Sequence, residues 1–537
     1  MSAASRKVSS APPPPAEIRC DVLVIGGGPA GCWAALEAAA ANATVVLVDK
    51  GYCGSSGATA SAGTQIWYVP PDPEKREAAM ASREAMGGYL SERAWMVRVL
   101  DETFKSVNRL ADWGYPFPRN EEGEQQRISV QGPEYMRLMR RRVRNAGVTI
   151  LDHHPAIRLL TDGKTVVGAS GLRRQQGGHW TVLAGAVVLA AGGCAFMSKA
   201  LGCDVLTGDG YLMGAEAGAE LSGMEFSSAY AISPAFASIT KTALYRFAQF
   251  YRQDHSLIEG AGSARGRSII ARTLLSESVY ARLELAGTEE VKAILRRAQP
   301  NFFVPFDRRG IDPFTEFFEV KLRLEGTVRG TGGLRLTGLD CSTTVPGLYA
   351  AGDNATREPI CGGFTGGGSH NAAWAIATGA FAGASAATFS RECSGISDPR
   401  SLPPVIRSGV DAGACDPRTI IRAVQDEVFP LDINYFRTHA ALSASLDRLD
   451  RLWASVGAAA ADENQSLQLR QAQAMALTAR FMYRAALART ETRGMHRRDD
   501  FPNQDPAQHH RLVLSGLDEI AIRREPVDPG IYKEAAA

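Results

Sequence analysis

Short apolar runs alternate with glycine turns and alanine-rich stretches over the first fifty positions of the chain. IRCDVLVI (18–25) is apolar enough for a strand buried on both faces. GGGPAGCWAALEAAAAN (26–42) follows it, with Pro29 in the opening turn, an alanine-rich body and Asn42 as a stop. That combination predicts a helix. TVVLVDK (44–50) is a second buried strand. Strand, glycine turn, helix and strand in this order predict parallel strands joined by a right-handed crossover. Helical pieces rich in Arg, Met and Glu fill residues 64–150, and strand signals return in 148–160, 166–174 and 179–193. The stretch 226–334 differs, with fewer buried strand runs, more arginine and aromatic segments such as YRFAQFY. GLYAAGD (347–353) restores a strand, and a small-residue helix is expected over 371–387. From about 402 onward the pattern is helical, with 3.6-residue apolar spacing in 440–456 and 471–490.

Length and charge narrow this picture. A chain of 537 residues is too long for one hydrophobic core, so two or three domains are expected. Lys+Arg 59 against Asp+Glu 57, without a dense basic stripe, argues against nucleic acid as a partner. No unbroken apolar stretch reaches bilayer length, and AGAVVLAAGGCAFM (184–197), broken by glycines, reads as a buried strand. Hence no transmembrane segment is expected. The first residues, MSAASRKVSSAPPPPAEI, lack a secretory apolar core and read as a flexible leader. Nine cysteines without a Cys-x-x-Cys pair argue against a metal or iron–sulfur site in this chain and suit a reducing compartment, read as the cytoplasm.

The candidate chemistry begins at the first turn. Gly26, Gly28 and Gly31 form G-x-G-x-x-G between a strand and a helix. The first glycine permits the tight turn, the second lets backbone approach a pyrophosphate, and the third lets the helix pack on the sheet. Asp49 ends the second strand, where a carboxylate accepts hydrogen bonds from ribose hydroxyls. Lys50 beside it either discriminates there or is solvated. A second small-residue loop, GSSGATASAG (54–63), follows at once, and Asp353 in GLYAAGD lies some three hundred residues later. This three-part arrangement suits an extended flavin dinucleotide better than NAD, with Asp353 reaching a ribityl hydroxyl.

Four blocks carry a family resemblance: DVLVIGGGPAGCWAA; VVLAAGG followed by LTGDGYLMGAEAGAELSGMEF; VPGLYAAGDN; and ALARTETRGMHRRDDFP. The chain resembles the flavoprotein subunits of the succinate dehydrogenase and fumarate reductase superfamily, which also holds L-aspartate oxidase and the adenylylsulfate reductase α subunit. The resemblance implies an α/β Rossmann-like FAD-binding domain interrupted by an α+β capping domain, followed by a helical C-terminal domain. The implied boundaries are a leader over 1–17, FAD-binding segments over 18–225 and 335–395, a cap over 226–334, and a helical domain with an extended tail over 402–537. Substrate would sit between cap and flavin. Besides the residues already named, it implies FAD contacts at Ser56, Gly57, Thr59, Ser61, Gly63, Ala156, Ala191, Gly192, Asp209, Gly352, Gly368 and Ser369.

The departures bear on substrate. Where succinate dehydrogenases carry the histidine that links covalently to FAD, this chain has Ser56, so noncovalent FAD is expected. The family's dicarboxylate-binding histidines fall on Tyr230 and Val328, and its carboxylate-binding arginine on Phe364 or Thr365. A dicarboxylate buried without cations would meet a desolvation cost of several kcal/mol, which argues against succinate and fumarate. GGFTGGGSHNAAWA is most similar to the adenylylsulfate reductase version. By that resemblance Ser369 touches the flavin pyrimidine edge and His370 faces the substrate as a catalytic group, while the competing reading has His370 capping or packing the helix. SARGRSIIARTL puts Arg267 in the family's proton-donor position with Arg272 beside it, or else Arg267 is a surface ion-pairing residue. Tyr230, Arg329, Phe364 and Thr365 are further candidates at the substrate. Arg489, Arg493 and His496 are expected to join domains through hydrogen bonds.

The expected function is FAD-dependent exchange of a hydride or electron pair between flavin N5 and a small organic substrate other than succinate or fumarate. A second reading is an adenylylsulfate-reductase-like subunit working with a ferredoxin-like iron–sulfur partner. A third is a non-catalytic flavin electron-transfer scaffold.

Overall fold

The computed structural model describes residues 17–365, 367–393, 400–401, 416–456 and 463–527. Most of the expected leader and the last residues of the expected tail lie outside the described residues.

Three parallel strands establish the first sheet. Glu17–Ile25 lies between Val45–Val48 and His179–Leu189, with Ile25 level with Val48 on one side and Leu189 on the other. Val22–Ile25, Val45–Val48 and Ala186–Leu189 are buried, as apolar runs covered on both faces must be. Thr149–Leu151 extends the sheet beyond Val45–Val48. The long strand His179–Leu189 is shared. Its first half pairs antiparallel with Val166–Leu172, and its end pairs parallel with Leu348–Ala350, Ala350 standing beside Leu189. Four strands therefore end together at Ile25, Val48, Leu189 and Ala350, although Ala350 is more than three hundred residues from Ile25.

The helix Pro29–Ala40 follows the glycine turn, and the chain reverses at Asn42, whose φ of +63° lies in the left-handed region that asparagine tolerates. Against it packs the helix Gly368–Glu392, through close approaches at Gly379 and Gly383: a Cβ there would lie 2.4 and 2.1 Å from the backbone oxygens of Ala30 and Ala34. At 25 residues, with a mean hydropathy of 1.2 over its most apolar window, this second helix has the length and composition to cross a bilayer. Here 61% of that window is buried inside the protein instead.

Residues 229–325 hold more regular strand than their sequence suggests. Ala229–Pro234, Phe318–Glu325, Val279–Arg282 and Gln249–Tyr251 form an antiparallel sheet in that order. This segment has its own core of Phe302, Phe303, Phe306, Phe318 and Val320. The C-terminal part is built on the helices Pro417–Val428, His439–Val456 and Glu463–Ala488. It is not wholly helical. His510–Ser515 and Ala521–Pro526 form a hairpin that pairs with Leu221–Ser222. Between these parts lies a buried ionic cluster. Arg489 Nε donates to Glu225 at 2.8 Å, Arg489 and Arg493 both donate to Glu491 at 2.9 and 2.6 Å, and Arg437 bonds His496 Nδ1 at 2.7 Å.

Candidate active site

The strand ends at Ile25, Val48, Leu189 and Ala350 open onto one cavity of about 800 Å³, which continues up to the antiparallel sheet segment. Ligands of open parallel sheets bind in this position, outside the carboxyl ends of the strands. Gly26 makes the turn at a φ of +113°, and a Cβ there would strike the Ala190 carbonyl oxygen at 2.3 Å. A Cβ at Gly31 would lie 1.7 Å from the Gly26 oxygen, so the third glycine seats the helix and does not border the cavity. At Gly28 the same atom would meet nothing within 4 Å.

Asp49 organises this turn. One carboxylate oxygen accepts from the Gly27 amide at 2.7 Å, and the other accepts from the Gly51 amide at 2.7 Å and from the Ser56 hydroxyl at 2.8 Å. Lys50 is not solvated. Its ammonium is 2.6 Å from Asp209 and 3.0 Å from the Thr207 hydroxyl, and both members of the Lys50–Asp209 pair border the cavity. Gly57, Thr59, Ser61, Gly63, Ala156, Ala191, Gly192, Gly352, Asp353 and Gly368 also line it. Residues from stretches far apart in sequence thus converge.

The expectations at the far end divide. Arg267 and Arg329 border the cavity. Arg267 donates to the carbonyls of Tyr230 at 3.1 Å and Ser263 at 2.7 Å, leaving Nε buried without a partner. Burial first, then Arg329, pulls its pKa below the ordinary arginine value. Arg329 pairs with Glu325 at 3.3 Å, and Glu325 also accepts from Thr240 at 2.7 Å. Arg272 lies elsewhere, over the Phe436 ring and 3.1 Å from Asp499.

Five candidates do not reach the cavity. Tyr230 turns its hydroxyl to the carbonyl of Val428, 2.8 Å away, and its ring packs on Tyr435. Thr365 donates to the Gly330 carbonyl at 3.2 Å, and Phe364 next to it lies outside the lining. Ser369 and His370 are displaced by helix phase. Successive helical residues point about 100° apart. With Gly368, Asn371, Ala372 and Ala375 facing the cavity, His370 joins Ala373, Trp374 and Ala377 on the buried face. The His370 ring lies 4.7 Å from that of Trp67, and only 3% of the residue is exposed. Nδ1 is 3.2 Å from the Ser369 hydroxyl, while Nε2 has no partner. Burial, with lesser contributions from Arg83 and Arg357, pulls the imidazole pKa down to about 3, so it is neutral at physiological pH. The packing reading of His370 is the one this geometry supports.

Sequence reasoning passed over Lys241, Arg246, Gln299, Asn301 and Asn371, which also line the cavity. The arginine-rich aromatic stretch around YRFAQFY was the available signal for Arg246. Nothing local marked the others.

Three features fit FAD. The volume lies toward the upper end of the ~300–1,000 Å³ usual for ligand sites. Gly28, Gly57 and Gly367 leave open space where side chains would otherwise project. The amide end of the helix Gly368–Glu392 faces the cavity beside the buried, unpartnered Asn371 Oδ1.

Comparison with known proteins agrees with this geometry. The model of an FAD binding domain matches residues 21–233, and that of the fumarate reductase flavoprotein C-terminal domain matches residues 426–533. The chain is 25% identical to the fumarate reductase flavoprotein subunit of Mycobacterium tuberculosis, covering 95% of this chain and 99% of that protein. It is 27% identical to L-aspartate oxidase of Mycobacterium bovis, covering 93% and 96%. Among solved structures, E. coli quinol fumarate reductase FrdA superposes with a TM-score of 0.80 at 19% identity, over 95% of this chain and 97% of the other. Adenylylsulfate reductase of Archaeoglobus fulgidus gives 0.74 at 18% identity, over 96% of both. A cofactor cradle at the sheet end, followed in the same chain by the fumarate reductase C-terminal domain, makes this protein an FAD-dependent oxidoreductase of the succinate dehydrogenase and fumarate reductase flavoprotein superfamily.

Proposed function

We propose that the protein exchanges a hydride or electron pair with a small organic anion other than succinate or fumarate. One observation carries this reading. Where the cavity enters the antiparallel sheet segment it is bordered by Lys241, Arg246, Arg267 and Arg329 and by no carboxylate; its acidic residues Asp49, Asp209 and Asp353 all belong to the cofactor side. Lys241 is spent on the carbonyls of Ala58 at 2.8 Å and Leu201 at 2.9 Å. That leaves the guanidiniums of Arg246, Arg267 and Arg329 for an anionic group, the last of them also ion-paired with Glu325 at 3.3 Å. Ala231, Ile232 and Val328 offer apolar wall nearby, and the Tyr230 hydroxyl is committed elsewhere. The positions of the family's two dicarboxylate-binding histidines hold Tyr230 and Val328 here, so a second carboxylate would lack those donors.

FAD, when bound, supplies the redox chemistry at its ring. The protein contributes orientation. Arg267 and Arg329 hold the anion so that the reacting carbon lies against the ring, and Arg267 holds a proton on the substrate side. Ser56, engaged with Asp49, stands where a covalent link would need histidine, so FAD is bound noncovalently and acid precipitation releases it into the supernatant. The buried thiols suit a cytoplasmic setting.

The test is anaerobic bleaching of the oxidised flavin. A panel of monocarboxylates beside succinate, fumarate and L-aspartate should give reduction or a perturbed flavin spectrum with monoanions. Exclusive response to the four-carbon dicarboxylates would overturn the proposal, and a flavin that no compound perturbs would favour the scaffold. The basic wall also favours a second reading, an adenylylsulfate-reductase-like enzyme with an iron–sulfur partner. It predicts that AMP perturbs the flavin spectrum, and that a ferredoxin accelerates reoxidation more than oxygen does.

A further inference from the structure

Arg357 borders no part of the cavity and is 1% exposed, yet it reaches toward both functional ends. Nη1 forms an ion pair with the carboxylate of Asp353, which lines the cofactor side. Nη2 donates to the carbonyls of Thr327 at 3.0 Å, Val328 at 3.2 Å, and Gly330. Those carbonyls belong to the single helical turn Gly326–Arg329 and the residue after it. Beyond Gly326, whose carbonyl accepts from the Gly330 amide at 2.8 Å, a turn this short leaves its carbonyls without intrahelical donors, and the guanidinium supplies one to Thr327 and Val328. The backbone amide of Arg357 also donates to the Thr331 carbonyl at 2.7 Å.

Other groups brace the same turn, but none reproduces this link. Asn371 Nδ2 donates to Val328 O at 2.7 Å, and Thr365 to Gly330 O. Tyr211 bonds the Thr327 hydroxyl at 2.9 Å and the backbone oxygen of Asp353. Among the described hydrogen bonds, Arg357 alone joins the Asp353 carboxylate to the carbonyls of the turn that carries Arg329.

We infer that Arg357 is a positioning residue that couples the cofactor end of the site to its anion end, one nitrogen orienting Asp353 and the other fixing the turn that presents Arg329. The inference rests on the reading of Arg329 as an anion contact. Burial pushes the Asp353 carboxyl up from its ordinary value, and Arg357 is the largest influence opposing that rise. Without the guanidinium, Asp353 would take up a proton and the turn would lose its brace. Lysine keeps the charge beside Asp353 but lacks the planar fork that spans to the carbonyls.

The experiment uses FAD-loaded protein, flavin fluorescence quenching for FAD affinity, and the flavin absorbance shift with butyrate as the anion probe. Arg357→Gln should weaken both FAD and butyrate about tenfold or more, and FAD binding should become pH-dependent as Asp353 titrates. Guanidinium ion at about 20 mM should restore part of each. Arg357→Lys should separate the ends, holding FAD affinity within about threefold while butyrate binding stays weak. Arg329→Ala should weaken butyrate only. A butyrate response unchanged by Arg329→Ala, or absent from the wild type, overturns the anion reading and the substrate half of the coupling. Normal loss of butyrate binding in Arg329→Ala, with Arg357→Gln lowering only Tm, overturns the coupling alone.

Discussion

Replacing Gly28 by Ala separates a residue that shapes the fold from one that leaves room for a ligand. The backbone of Gly28, at φ −75° and ψ −173°, is one that alanine adopts without strain. Its added methyl meets no protein atom within 4 Å. Such a change removes unfolded-state freedom, so apo-protein stability should be unchanged or higher by about 0.4–1 kcal/mol. The cofactor is the sensitive partner. If the pyrophosphate lies over this turn, the methyl occupies phosphate space and separates it from the turn's amides. A lost hydrogen bond to a charged group costs about 1.5–3 kcal/mol. One such bond weakens FAD by roughly 10- to 150-fold and two by its square. Gly31→Ala is the contrast, because its methyl would lie 1.7 Å from a backbone oxygen and should prevent folding. Fluorescence-quench titration with FAD, beside thermal melts of the apo protein, gives both quantities. Gly28→Ala protein that melts normally and binds FAD with wild-type affinity would refute the placement of the pyrophosphate.

Two further outcomes concern buried ionisable groups. The folded pKa of His370, about 3, lies below its ordinary 6.5, so the unfolded chain takes up the proton first. The stability contribution is full above about pH 6.5 and is lost as pH falls toward 3; His370→Phe keeps a ring on Trp67 and should move the acid-unfolding midpoint to lower pH without abolishing flavin reduction, and an unmoved midpoint together with lost reduction would return His370 to the chemistry. Glu358 is buried with both carboxyl oxygens unpartnered, and burial followed by Glu225 pushes it up to about 7. Here the folded state holds the proton more tightly, so stability is greatest below the ordinary value of 4.5 and is lost as pH rises through about 7; Glu358→Gln should flatten the fall in Tm between about pH 4.5 and 7, and identical pH profiles would refute the assignment.

How much was legible follows from the range of each interaction. The glycine turn is a local matter: Gly26 needs a positive φ, Gly31 must clear an oxygen five residues back, and Pro29 sits in the first helical turn, so the residues themselves specify the geometry. Strand character in 18–25 and 179–189 was equally plain, because a strand covered on both faces must be apolar throughout. The cap strands were less so, since all are eight residues or fewer and Phe318–Glu325 carries charged residues at alternate positions, and a half-exposed strand gives a weaker signal.

Side-chain direction was the part that sequence left open. Which face of the helix Gly368–Glu392 meets the cavity depends on its packing against Pro29–Ala40, and a single step of 100° takes His370 from the ring side to the core. The same dependence turned Tyr230 toward Val428, ion-paired Lys50 with a residue 159 positions away, and set Arg357 between two loops that no local motif connects. The chain alone specified the glycine turn of its cofactor cradle, because backbone conformation there is a property of a few neighbouring residues. Only the folded molecule decided which cations face the substrate, because that is settled by packing between segments far apart in sequence.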